Sequence, residues 1–182
     1  MKEELKKIEN IFRNSSSPDF LFDAFQEAIK LKTTDPEIFK ILLGNPALST
    51  DEIKMFVEKL IKEFPQHVYD LSIWVAKIFE HKDDYPNSLE NAVHYYKRAH
   101  DYKPDSFEPL LSLLSLNNYE LDLPTNKVIL EFVETRIPAV QFKSKVYYAL
   151  AEYYKKIGDK QLEVKYFALA ERSAELENNK DQ

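Results

Sequence analysis

Four histidines, His67, His81, His94 and His100, are the side chains best suited to proton transfer and metal binding near neutral pH. No two lie four residues apart, and none sits in the His-Glu-x-x-His pattern that places two imidazoles on one helix face. His81 with Asp83 and Asp84 could offer metal donors, but a short polar run without further ligands reads as a solvated loop. Glu90 and His94 stand one helical turn apart and read as an ordinary surface pair. Ser112 and Ser115 have no histidine or aspartate nearby to activate them. Cysteine is absent, which removes disulfides, thiolate metal ligands and thiol nucleophiles. Two glycines cannot build a phosphate-cradling loop. Aromatic residues are abundant enough to suggest base stacking, but the basic clusters Lys2-Lys6-Lys7 and Lys155-Lys156 read as solvated helix ends rather than a groove. The expectation is no catalytic residue, no cofactor, no metal and no nucleic-acid partner.

The elements that must carry any other function are helical. The composition, 44% hydrophobic and 31% charged, is that of a folded chain and not of a disordered one. Two glycines cannot supply the turns of an all-β chain. Twenty-five basic and 31 acidic residues leave a net charge of −6, which argues against a polyanion or an anionic membrane as main partner. No run of eighteen apolar residues occurs and the first residues lack the apolar stretch of a signal peptide, so the expected location is the cytoplasm.

Ten helices are expected from apolar positions at helical spacing. The first covers about 2–13. Ser17-Pro18 starts the second, which runs to about Lys32, and Asp35-Pro36 starts a short third that ends at Gly44, where a left-handed glycine can close it. Ser49 and Glu52 form a capping box for the fourth, which stops at Pro65. The fifth spans about 66–81, the sixth about 88–102. Ser106 is expected to cap the seventh and Thr125 to open the eighth, which stops before Pro138. The ninth runs to Gly158, the tenth covers about 160–177, and the residues after it should fray.

These helices come in pairs. Pro65, Pro104 and Pro138 close successive pairs at spacings of 39 and 34 residues, and a period near 34 in helix–turn–helix units is a repeat signature. In the last unit Tyr147, Leu150, Ala151 and Tyr154 are followed by Gly158, Phe167 and Ala170. In an earlier one Ala92, Tyr96, Ala99 and Pro104 follow Leu71, Trp74, Val75 and Ile78. On these residues the chain resembles the tetratricopeptide repeat superfamily. The better-matched repeats are about 66–104 and 144–177. Glu163 and Glu175 depart from the pattern, which places a small residue and a proline there.

The resemblance implies an all-α fold: one domain over 1–182, built as a right-handed superhelical solenoid of about five antiparallel helix pairs. Tyr154, Phe167 and Trp74 are expected in its core. It also implies a protein–protein interaction module, an adaptor, scaffold or assembly factor that holds a partner peptide or domain in a concave groove. The groove residues in that register are Tyr69, Ser72, Phe79, Leu111, Ser115, Asn118, Lys145, Tyr148 and Glu152. Chaperone-binding relatives grip terminal carboxylates with basic and amide side chains. Here only Lys145 of the equivalent positions has that charge, so that ligand is not expected. An apolar or aromatic segment with a basic flank suits the net charge better. The alternative is a structural or self-associating subunit, including a homo-oligomer.

Overall fold

The structure is a computed structural model that describes residues 2–33, 35–81, 87–116 and 123–179. Among the described residues it holds ten α-helices and no strand. The chain divides into two compact units, Met1–Ala92 and Val93–Gln182. Residues 82–86, with Asp83 and Asp84, and residues 117–122 and 180–182 lie outside the described residues, as do Met1 and Thr34.

The first unit holds α1 (Lys2–Asn14), α2 (Pro18–Lys30), α3 (Pro36–Leu43), α4 (Thr50–Glu63) and α5 (Val68–Glu80). Helix α1 packs on α2 and α3, and α3 packs on α4 and α5. Their start signals differ in how they act. Asp35 accepts a hydrogen bond from the Glu37 amide, and Ser49 and Glu52 exchange bonds as a full capping box. Ser17 does not cap α2; its own amide bonds to Ser15 Oγ, so the serine run folds back on itself. Helix α2 ends at Lys30, two residues short of the expected end, because Lys32 turns left-handed at φ 50°. Gly44 ends α3 in the right-handed region, at φ −83°, and not in the expected left-handed one. A row of buried rings forms the core: Phe56 lies 4.7 Å from Phe25, which meets Phe39 edge-on, and Phe39 lies 5.4 Å from Phe64.

The second unit contains most of α6 (Ser88–Tyr102), then α7 (Glu108–Ser115), α8 (Leu123–Arg136), α9 (Lys143–Lys156) and α10 (Lys160–Asn178). Phe107 occupies the cap position of α7 with no side-chain bond, one residue beyond the Ser106 expected there. Helices α9 and α10 are antiparallel. Ser144 meets Glu177, Tyr148 meets Glu171, and the Tyr154 ring stacks on Tyr166. Gly158 makes the reversal possible at φ +80°, a region that side chains avoid. The Asp159 amide reaches back to the Tyr154 carbonyl and the Gly158 amide to Lys155, which closes α9. Tyr154 and Tyr166 both donate to Glu134 of α8, at 3.3 and 2.5 Å. Burial, reinforced by the Glu134 carboxylate, pushes the Tyr154 hydroxyl up to about 12 and moves Tyr166 further in the same direction.

Two of the three expected core aromatics are not in the core. Tyr154 is buried, but Phe167 is 53% exposed and Trp74 37% exposed. On α10 only Tyr166 and Ala170 are buried, so its inner face is a single narrow stripe. Phe167 falls beside that stripe and touches Tyr148 edge-on.

His100 of α6 is buried, with Nδ1 bonded to the Ser106 carbonyl at 3.2 Å. A carbonyl can only accept, so Nδ1 carries the proton. Nε2 is left without a hydrogen-bond partner, and Phe132 of α8 stands edge-on to the ring. Burial holds the imidazole below its usual range; Arg136 acts the same way, while the Ser106 bond, Asp101 and Asp105 oppose it. Lys97 and Arg136 also lie 5.0 Å from the Phe132 ring, and burial likewise lowers Lys97.

Two outcomes follow from this packing. Phe56→Ala should cost about 3–5 kcal/mol in urea unfolding, and Phe167→Ala no more than about 0.5 kcal/mol. A large loss from Phe167→Ala would contradict the exposed placement. For His100 the native state resists protonation more than the unfolded chain, whose imidazole titrates near about 6.5. The unfolded state then binds more protons just below that pH, so stability falls as pH drops through it. Melting temperatures at pH 7.5 and 5.5 should differ less in His100→Gln than in the wild type; an unchanged difference would show that His100 is not the group responsible.

Candidate functional site

The groove residues expected from the sequence fall in both units. In the first unit Tyr69 is half-buried, whereas Ser72 and Phe79 have no exposed surface. Those two are corrected to interior positions. Helix α5 is packed by α3 and α4, and Leu71, Ile73, Val75 and Ala76 are buried with them. A helix covered on so much of its circumference keeps one narrow exposed strip, Asp70, Trp74 and Lys77.

In the second unit Leu111 is half-buried and Ser115 exposed, with its hydroxyl donating to the Ser112 carbonyl at 2.7 Å. Asn118 lies outside the described residues. Lys145 projects its ammonium over the Phe107 ring at 4.2 Å. Tyr148 is half-buried and donates to Glu171, which raises its hydroxyl's titration point. Glu152 is exposed, 3.7 Å from Lys155. Helix α7 packs on α9, so Leu111 and Ser115 share a neighbourhood with the α9 residues. Three of these polar side chains, Lys145, Tyr148 and Glu152, already have partners on the protein.

The chemistry-bearing residues weighed first are dispersed. His81 donates through Nδ1 to the Lys77 carbonyl, at 2.8 Å. His94 is exposed beside the Tyr95 ring, and Glu90 is exposed one turn before it. Among the described residues no three acidic or imidazole side chains are grouped to hold a metal ion, and no helix is long and apolar enough to cross a membrane.

A cleft of about 520 Å³ opens in the first unit where the end of α1, helix α3 and the middle of α5 meet. Trp74 forms one wall. Its indole N–H donates to the Lys40 carbonyl at 3.0 Å, an oxygen that also accepts the Gly44 amide. This bond explains why the only tryptophan stands at the surface: the carbonyl it needs lies in the last turn of α3, and burying the ring further would break it. The Lys40 ammonium sits 5.9 Å from the same ring. Gly44 needs no glycine for its backbone angles, since φ −83° suits any residue. A Cβ there would lie 3.9 Å from Trp74 Cζ2 and 3.3 Å from the Lys40 carbonyl oxygen. The missing side chain leaves the edge of the indole open.

Two cations, Arg13 and Lys40, face the cleft against one carboxylate, Glu37. Arg13 is bonded to Glu9 at 2.8 Å and Lys40 to Glu37 at 2.6 Å, each within its own helix. An exposed pair such as Arg13–Glu9 contributes about 0.3–0.5 kcal/mol, whereas the Lys40 side chain is mostly covered.

Asn45 holds the cleft together from below. It is buried, and its amide donates to the Phe12 carbonyl at 2.8 Å and the Ser15 carbonyl at 3.0 Å, while Oδ1 accepts the Ala47 amide. Of the cleft residues, Arg13, Lys40, Asn45 and Pro46 carried no functional expectation from the sequence. Gly44-Asn45-Pro46 reads there as a helix stop; the one further signal is that a glycine and the sole tryptophan end up side by side, which only the fold brings about.

Asn45→Ala should destabilise the protein by about 1–3 kcal/mol in urea unfolding. Asn45→Asp should cost more, because its carboxylate faces two carbonyl oxygens. Stability equal to the wild type in both variants would show that α1 is anchored elsewhere. Compared with family models, with curated proteins and with solved structures, the chain finds no match.

Proposed function

We propose that this protein is an interaction module of the tetratricopeptide kind, whose paired helices present a surface to a segment of another protein. The observation that carries the reading is Trp74. A large aromatic side chain is fixed by its own N–H bond, yet keeps 37% of its surface exposed in an open cleft. Tryptophan placed so is a rigid anchor that loses little conformational freedom on binding, and such side chains dominate protein interfaces. The antiparallel pairing of α9 and α10, closed by Gly158, supports the repeat reading for the last unit. The half-buried Leu111 and Tyr148 supply a second, smaller apolar surface in the second unit.

The proposed site differs from the groove expected in the sequence. That groove ran along α5, α7 and α9, and its α5 residues Ser72 and Phe79 are interior. The cleft instead uses the side of α5 that faces α3, where Trp74 emerges.

Capture from a native lysate with wild-type protein and with Trp74→Leu tests the reading. The variant keeps apolar bulk but loses the indole face and its donor. A protein retained in stoichiometric amount by the wild type and reduced at least tenfold by the folded variant is the expected result. Equal retention by both would remove Trp74 from the interface. A small molecule retained in place of a protein would point to an enzyme instead.

A further inference from the structure

We propose that a cleft between α8 and α9, walled by Glu134, takes a basic side chain, arginine or lysine, from a segment of the partner protein. The inference rests on the interaction-module reading and adds a second point of contact, in the second unit. Three features select a cation there.

The first is the state of Glu134. Tyr154 and Tyr166 both donate to the same oxygen, Oε1. Oε2 has no partner among the described residues. Phenol hydroxyls are neutral, so these bonds fix the carboxylate in place without cancelling its charge. A group already held in one orientation gives up little freedom when a ligand meets it. The second is the make-up of the cleft, which has a volume of about 530 Å³. Glu134 shares it with Glu131 one turn earlier on α8, with Leu130, and with Tyr153 of α9. Tyr153 is half-buried, and its hydroxyl is bonded to nothing among the described residues. An aromatic ring and carboxylates in one cleft suit a guanidinium, which stacks on the ring while its N–H groups reach the oxygens. Leu130 offers an apolar bed to the methylene stem.

The third is that no cation of the protein meets either carboxylate. Among the described residues Glu131 and Glu134 form no ion pair. Lys127 lines the same cleft. It stands one turn before Glu131, the less favourable order for such a pair, and does not reach it. From Glu134 it is two turns away, about 10 Å along the helix, the distance over which ordinary salt screens a charge. Lys97 of α6 is attracted by Glu131 but lies over the Phe132 ring. Two unpaired carboxylates thus stand against one ammonium in the cleft, on a protein whose net charge is −6. An acidic segment meets like charge here and a basic one meets its complement.

The probes are acetylated, amidated hexapeptides of alanine and serine that carry a single arginine, lysine or glutamate. Binding is read from amide shifts in two-dimensional NMR spectra of the whole protein. The arginine peptide should shift the amides of residues 130–135 and 153 saturably, the lysine peptide more weakly, and added salt should weaken both. Half-saturation should rise at least tenfold in Glu134→Gln, whose amide oxygen still accepts the two tyrosine bonds while the charge is gone. Lys127→Gln should bind as tightly as the wild type or more tightly. Urea unfolding checks that both variants remain folded. Equal shifts from the glutamate peptide, wild-type binding by Glu134→Gln, or silence from the basic peptides at millimolar concentration would overturn the proposal. Methylguanidinium, the head group without stem or backbone, should need at least threefold more to reach half-saturation; equal binding would make this a small-cation site and also overturn it. If Trp74→Leu abolishes capture of a partner protein while the arginine peptide is silent, the interaction reading stands and the Glu134 site falls.

Discussion

The three hydrogen bonds of Asn45 are the constraint on which the first unit depends. The last carbonyls of α1 have no partner within the helix, because the chain leaves helical geometry after Asn14. Left unmet in the interior, such groups cost as much as the packing around them contributes. Asn45, 33 residues further along than Phe12, donates to one of these oxygens, that of Phe12, and to the Ser15 carbonyl just beyond the helix, and accepts the Ala47 amide with its own. One side chain thus satisfies the end of α1 and shapes the turn between α3 and α4. Phe12 beneath it is fully buried, so the polar clamp and the apolar core fix the same point.

What stands at the surface follows from that anchorage. With α1 tied to the α3–α4 turn, Arg13 is brought beside Lys40 and Gly44. Trp74 reaches the same place from α5 and spends its one donor on the Lys40 carbonyl. The cleft is therefore built largely from helix ends and from what satisfies them. Helix ends are where a folded chain offers polar atoms and gaps in close company, and where one missing side chain can keep a cavity open.

The second unit relies on a different device. Glu134 accepts from Tyr154 and Tyr166, one from each helix of the α9–α10 hairpin, while the two rings stack with an interplanar angle of 3°. A carboxylate held by two phenols ties α8 to both helices at once, and burial keeps both phenols protonated far above the ordinary range. His100 is the contrasting case, a buried ring with one bond made and one nitrogen left bare.

The sequence by itself determined that the chain is helical, and most of where the helices begin and end. The capping box at Ser49, the aspartate before Pro36 and the left-handed Gly158 are local devices, and local devices act through neighbours in the chain. The sixth helix was legible from Ser88 to Tyr102 for the same reason. Where two local signals competed, the local reading failed: Ser17 makes no side-chain cap, and its own amide donates to Ser15 Oγ instead. Only the tertiary structure decided which faces are covered. Periodicity marks Ser72, Phe79, Trp74 and Phe167 by their place on a helix, but burial depends on how many neighbours surround that helix. Helix α5 is covered on most sides, so Ser72 and Phe79 are interior. Helix α10 has a narrow buried stripe, which leaves Phe167 outside. Trp74 is drawn to the surface by a carbonyl 34 residues away, a partner that no spacing along the chain announces.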